Sequence, residues 1–215
     1  EINPNNPAVA KLQRSFGRNA VKVIKDLMTT IKAYKKSGIL CTLKHFPGLG
    51  SSATNTDFKT ADVTQTWRFS ELIPYRQLIK AHHVCRVVMV THLINRRLDK
   101  SAIAASLSHK IVTGLLRRHL HYRGLIITDD MDAKAIRDHV PIAKAIRLAV
   151  LAGNTIILYG GTQGYDAAQD TTTLYHTMMK LAANNSQTRR QIMKSYNRIS
   201  DVKRTVFANF SGQLN

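Results

Sequence analysis

Long apolar runs are missing from this chain. Nothing approaches the ~18 consecutive apolar residues that cross a bilayer as a helix, which excludes a transmembrane helix. The opening Glu1-Ile2-Asn3-Pro4 has neither a basic region nor an apolar signal core, so no leader peptide is visible. Cysteine is scarce: Cys41 and Cys85 each sit inside or beside an apolar run and are expected as buried free thiols rather than a disulfide or metal pair. They leave the redox compartment open. Acidic residues are few, 13 against 32 Lys and Arg, for a formal net charge of +19. Such a surface attracts polyanions. Yet no zinc-finger, RNA-recognition or helix-turn-helix signature accompanies the charge, so no specific nucleic-acid partner is expected. The basic residues, among them Arg96, Arg97, Lys100, Lys110, Arg117, Arg118 and Arg123, are interleaved with apolar helix positions and read as solvated helix faces.

What is present is enough apolar material, 44% of 215 residues, for one sizeable core, read as a single domain over 1–215. Short β-rich apolar runs at 39–43, 87–90, 125–128 and 155–159 each end abruptly in polar or glycine residues and predict buried parallel strands. Helical periodicity fills the intervals at about 18–36, 70–82, 106–121, 141–152, 165–183 and 187–206. Ser70 with Glu71 opens the second of these, and Ser106 or Ser108 caps the third. This alternation implies parallel βαβ units, in a doubly wound sheet or a barrel. No G-x-G-x-x-G follows a strand; Gly48-Leu49-Gly50 comes after Pro47 and before a polar loop, outside the required strand-to-helix context.

Ligands of either architecture meet the carboxyl ends of the strands. The first run delivers Lys44-His45-Phe46-Pro47-Gly48, the second Thr91-His92, the third Asp129-Asp130 and the fourth Gly160-Gly161. Singly, each has a bland reading: a histidine after a strand is usually a structural hydrogen-bonding residue, and paired aspartates cap helices. Jointly, imidazoles, an ammonium and carboxylates on one rim suit a polyhydroxylated ligand with acid–base or nucleophilic chemistry.

Two segments give this rim a family resemblance. Lys44-His45-Phe46-Pro47-Gly48-Leu49-Gly50 resembles the K-H-F-P-G-H-G signature of family 3 glycoside hydrolases of the β-N-acetylhexosaminidase type. Leu107-Ser108 through Gly114-Leu115-Leu116-Arg117 to Gly124-Leu125-Ile126-Ile127-Thr128-Asp129-Asp130-Met131 is similar to a second signature of that family. Asn3-Pro4-Asn5-Asn6-Pro7, Arg14-Ser15-Phe16-Gly17 and Ala152-Gly153-Asn154 resemble further family segments. The resemblance implies a (β/α)₈ TIM-type barrel of which this chain supplies roughly the second half, completed by the missing strands or by another chain. It also implies a retaining double displacement on a saccharide carrying terminal β-linked N-acetylglucosamine, without cofactor or metal. Asp129 takes the nucleophile's position, and Arg14, Lys44, His45 and His92 match residues that line the sugar site. The resemblance leaves the compartment, cytoplasmic or exported, unassigned.

The loop that carries the general acid departs from the family pattern. Where that pattern has an Asp and, two residues later, a His, this chain has Asn55 and Asp57, and Leu49 replaces the second His of the signature. No His lies between His45 and His82 to restore the pair. Asp57 would then have to act as the carboxylic acid, a role that needs a closed site. Three readings follow. The leading one is a glycosidase using Asp129 and a substituted acid; the second is a sugar-binding relative that has lost proton transfer. The third, a basic binder of nucleic acid or anionic surfaces, rests on net charge alone.

Overall fold

The computed structural model describes residues 6, 9, 12–81, 85–160 and 167–211. Asn3, Pro4, Asn5, Pro7, His82 and Gly161, singled out above, lie outside the described residues. Three parallel strands, β1 (Thr42–Phe46), β2 (Val87–Val90) and β3 (Leu125–Thr128), form one sheet in that order. Val87 to Val90 pair in unbroken register with Leu125 to Thr128. The β1–β2 ladder aligns Thr42 with Val87 and Leu43 with Val88, then shifts before Phe46 meets Val90. Helix α1 (Ala20–Lys36) precedes β1 and packs on α2 (Ile73–Lys80), which crosses between β1 and β2. A π-helix, Lys110–His119, crosses between β2 and β3. After β3 come α3 (Lys134–Arg137), α4 (Ile142–Ala152), α5 (Ala167–Asn184) and α6 (Ser186–Ser211), the last three packed on one another. Leu78, Val88, Leu93, Ile111, Leu116 and Ile126 are fully buried between sheet and helices, with Trp67.

The first strand starts three residues later than expected. The cause is the end of α1: Gly38, with φ of 70°, donates to Lys35 O, and Ile39 N donates to Tyr34 O at 2.8 Å, a Schellman closure. Ile39 is thereby committed to the helix end, and with Leu40 stays exposed. Lys44 and His45 therefore belong to the strand rather than following it.

The expected fourth strand is reduced to a parallel bridge between Ile127 and Ile156. Thr155 explains the interruption. Its hydroxyl accepts from Ile126 N at 2.6 Å, standing where a backbone carbonyl would continue the ladder, and donates to Ile126 O at 2.7 Å. The segment still runs beside β3, since Met131 N donates to Leu158 O at 2.9 Å.

The cysteines correct a second expectation. Cys41 and Cys85 form a disulfide with Cα atoms 5.1 Å apart. Cys41 directly precedes β1 and Cys85 stands two residues before β2, its parallel neighbour, so strand spacing brings their backbones within bridging range. Of the two candidate caps, Ser108 is the one used: its Oγ accepts from Ile111 N at 3.2 Å. Ser70 makes no side-chain cap, but helical structure does open there: a 3-10 turn over Phe69–Leu72 runs directly into α2 at Ile73, with Pro74 in its first turn.

Candidate active site

Backbone hydrogen bonds step across the carboxyl ends of the strands. Phe46 O accepts from Thr91 N at 3.0 Å and Val90 O accepts from Asp129 N at 2.8 Å. His45, His92 and Asp129 consequently share one end of the sheet, with Lys44 exposed beside them on β1. Asp129 is half-buried, and one carboxylate oxygen accepts from Asp130 N at 3.1 Å. Asp130 turns its own carboxylate to Asp132 N at 3.0 Å and Gly160 N at 2.8 Å, so it folds the turn that follows β3. It does not cap α3, whose N-cap residue Ala133 has no side-chain cap.

His92 is buried with both ring nitrogens engaged, Nδ1 to Ser106 Oγ at 2.7 Å and Nε2 to Asp130 O at 2.8 Å. A carbonyl only accepts, so Nε2 carries the proton and Nδ1 receives the Ser106 hydroxyl. Burial pushes the imidazole below its ordinary value, while the carboxylates of Asp129, Asp130 and Asp57 act in the opposite sense. His92 thus fixes the Asp129–Asp130 turn with a neutral ring. Asn154 extends the support, its Nδ2 donating to Ser106 O at 2.7 Å and Ala149 O at 2.8 Å.

The loop after β1 is anchored at both ends. Asn6 Nδ2 donates to the carbonyl oxygens of Leu49, Gly50 and Ser52, and Asn6 Oδ1 accepts from Val9 N at 3.1 Å. Glu71 receives Gly50 N at 2.9 Å, and at Gly48, where φ is 125°, a Cβ would collide with the Glu71 side chain. Leu49, which stands where the family signature has its second His, is a core side chain only 2% exposed. Farther along, Asp57 O and Thr56 O accept from Lys134 N and Ala135 N at 3.1 and 3.2 Å, capping α3. Asn55 Nδ2 donates to Asp57 Oδ2 at 2.9 Å, so one oxygen of that carboxylate is already taken.

The structure therefore gathers Asp129, Asp130, His92 and Asp57. It leaves Arg14 exposed ahead of α1, and among the described residues no hydrogen bond or ion pair joins that side chain to the rim. Ser106, Asn154, Glu71 and Asn6 escaped assignment from sequence, although Asn6 and Asn154 stand inside motifs that carried the resemblance. Among the described residues no three His, Cys, Asp or Glu side chains are grouped to hold a metal, and no helix is long and apolar enough to cross a membrane.

Parallel strands with crossover helices and polar side chains gathered at the strand ends define an α/β fold of the barrel type. Residues 2–202 match the glycosyl hydrolase family 3 N terminal domain, and the chain belongs to that family. It is similar to β-hexosaminidase A of Pseudoalteromonas piscicida, 32% identical over 153 residues, or 63% of this chain and 24% of that protein. An uncharacterized secreted glycosyl hydrolase of Arthroderma benhamiae is 33% identical over 159 residues, 70% of this chain and 44% of that protein. The fold is also that of a family 3 β-N-acetylglucosaminidase from Paenibacillus, with TM-score 0.83 and 24% identity over 96% of this chain and 38% of that one. The chain spans less than half of each of these relatives. Its architecture is a TIM-type barrel, of which these strands are a part.

Proposed function

We propose that this chain forms the nucleophile side of a retaining glycosidase site for terminal β-linked N-acetylglucosamine. The observation that carries the reading is Asp129: a half-buried carboxylate at a strand end, its backbone held by Val90 and its neighbour clamped through His92, Ser106 and Asn154. A nucleophile held this way meets an anomeric carbon without reorganising. The β-hexosaminidase name of a relative supports the substrate class. Asp57, on the loop docked against α3, is the carboxyl group available for leaving-group protonation. Lys44 and His45 supply donors to sugar hydroxyl groups, and Arg14 joins them once the ligand and the rest of the barrel are in place. Further barrel strands, from the same protein or a second chain, complete the site and cover the outer edge of β1.

A sugar-binding protein without turnover is the second reading, favoured by the Asn55–Asp57 hydrogen bond that occupies the acid. One experiment separates the two, using a barrel completed with the strands of a close relative. An activated aryl β-N-acetylglucosaminide, which needs little protonation, is expected to be cleaved far better than a natural disaccharide. Asn55→Asp with Asp57→His is expected to raise disaccharide turnover by about 10²–10⁴-fold, and Asp129→Ala to abolish both activities. Saccharide binding without Asp129-dependent turnover of the aryl substrate refutes the enzyme reading.

A further inference from the structure

At the end of the sheet opposite Asp129, basic residues that the sequence scatters along helices converge. Arg117 of the π-helix donates through Nη1 to the carbonyl oxygens of Tyr122, at 3.2 Å, and Gly124. Its guanidinium lies 5.6 Å from the centroid of the Tyr122 ring. The other terminal nitrogen, Nη2, is buried and has no acceptor among the described residues. A charged donor withdrawn from water without an acceptor is costly, so the surroundings of Arg117 call for an explanation.

The surroundings identify the ligand's charge. Arg117 lines a cavity of about 440 Å³ with Thr113, Arg118, His121, Arg123 and Arg198, and no described residue of its wall is acidic. Burial first, and then the Arg198 charge, push the Arg117 guanidinium down to about 10. His121, Tyr122 and Arg123 also line a larger neighbouring cavity of about 1160 Å³, beneath the amino-terminal ends of the strands. There Arg76, Lys80 and Arg86 are added, again with no Asp or Glu among the described lining residues. One carboxylate would leave most of this charge unmatched. Guanidinium forks on a fixed scaffold suit phosphate oxygens, which carry more charge per group and accept paired N–H bonds.

We propose that this pocket is a binding site for a compact ligand bearing several phosphate groups. One phosphate lies among Arg118, Arg123 and Arg198, with the half-buried Arg117 guanidinium adding its charge to the wall. The remaining phosphates lie along Arg76, Lys80 and Arg86 in the larger cavity. The ligand is an inorganic polyphosphate or the phosphate chain of a nucleotide, and the exposed Ile39 and Leu40 at the cavity wall offer an apolar surface to a nucleoside.

The test is calorimetric titration of the chain with tripolyphosphate, ATP and orthophosphate at fixed ionic strength. Tripolyphosphate is expected to bind saturably, one per chain, and about tenfold or more tighter than orthophosphate. Arg123→Gln with Arg198→Gln, both exposed and outside the core, is expected to weaken it by about tenfold or more. Lys100→Gln with Lys144→Gln removes the same charge elsewhere and is expected to change affinity by less than about twofold. ATP binding at least as tightly as tripolyphosphate identifies a nucleotide ligand; ATP binding more weakly identifies inorganic polyphosphate. Equal weakening by the two charge-removing pairs, or the absence of saturable tripolyphosphate binding, overturns the proposal.

Discussion

Replacing Thr155 by valine conserves shape and removes one oxygen from beneath β3. That oxygen both accepts from Ile126 N at 2.6 Å and donates to Ile126 O at 2.7 Å. The carbonyl keeps its bonds from Thr155 N and Ile156 N, at 2.7 and 3.0 Å, so only the amide is orphaned. Ile126 is fully buried, and an unsatisfied buried donor costs about 1–3 kcal/mol. A loss of about 2 kcal/mol is expected for Thr155→Val, equivalent to about 4–8 °C in Tm for a chain of this size. Thr155→Ser keeps both bonds and loses one methyl group, about 0.8 kcal/mol. Urea unfolding followed by emission of the single tryptophan, Trp67, which is fully buried, measures the difference. If the valine variant equals the wild type, or is more stable than the serine variant, the hydroxyl does not complete the ladder.

Two further outcomes follow from the same structure. His92 is held below its ordinary value in the folded state, so below about pH 6.5 the unfolded chain binds a proton that the folded chain refuses. Stability is then full above that pH and falls on acidification toward the folded value; His92→Gln is expected to flatten the slope in this window, as unfolding at a series of pH values would reveal. The Cys41–Cys85 disulfide closes a sequence separation of 44 residues, worth about 4 kcal/mol on the chain-entropy account. Denatured protein is expected to release no thiol to Ellman's reagent until reductant is added, whereas two thiols without reductant would restore the free-cysteine expectation.

The strands and helices were readable from sequence where periodicity and local chemistry agree. Val87–Val90 and Leu125–Thr128 match their apolar runs residue for residue because polar or glycine residues bound each, Arg86 and Thr91 the one, Gly124 and Asp129 the other. The first run misled because Ile39 and Leu40 are apolar yet belong to the exit of α1, a matter of one glycine's dihedral angle rather than hydrophobicity. The disulfide was hidden because its geometry depends on which strands are neighbours, and no local pattern encodes that. Of the site residues read from the sequence, Asp129, His92 and Asp57 come together at the rim and Arg14 does not. Ser106, Asn154 and Asn6 act through contacts with distant backbone, and the serine looked like an ordinary helix cap. The basic residues read as solvated faces because their convergence below the sheet requires the π-helix, the loop after it and α6 to be assembled first.

The carbonyl oxygens of Thr56 and Asp57 serve as the missing first-turn acceptors of α3, the helix that follows the Asp129–Asp130 turn. In mechanical terms, Asp57 and Asp129 sit on two jaws joined by a latch made of main chain. Side-chain replacement in the loop changes what the upper jaw carries without releasing it. Swinging the loop away, by contrast, unpins the first turn of α3 and slackens the seat of the lower jaw. The rim thus keeps its shape only while the loop stays docked on α3.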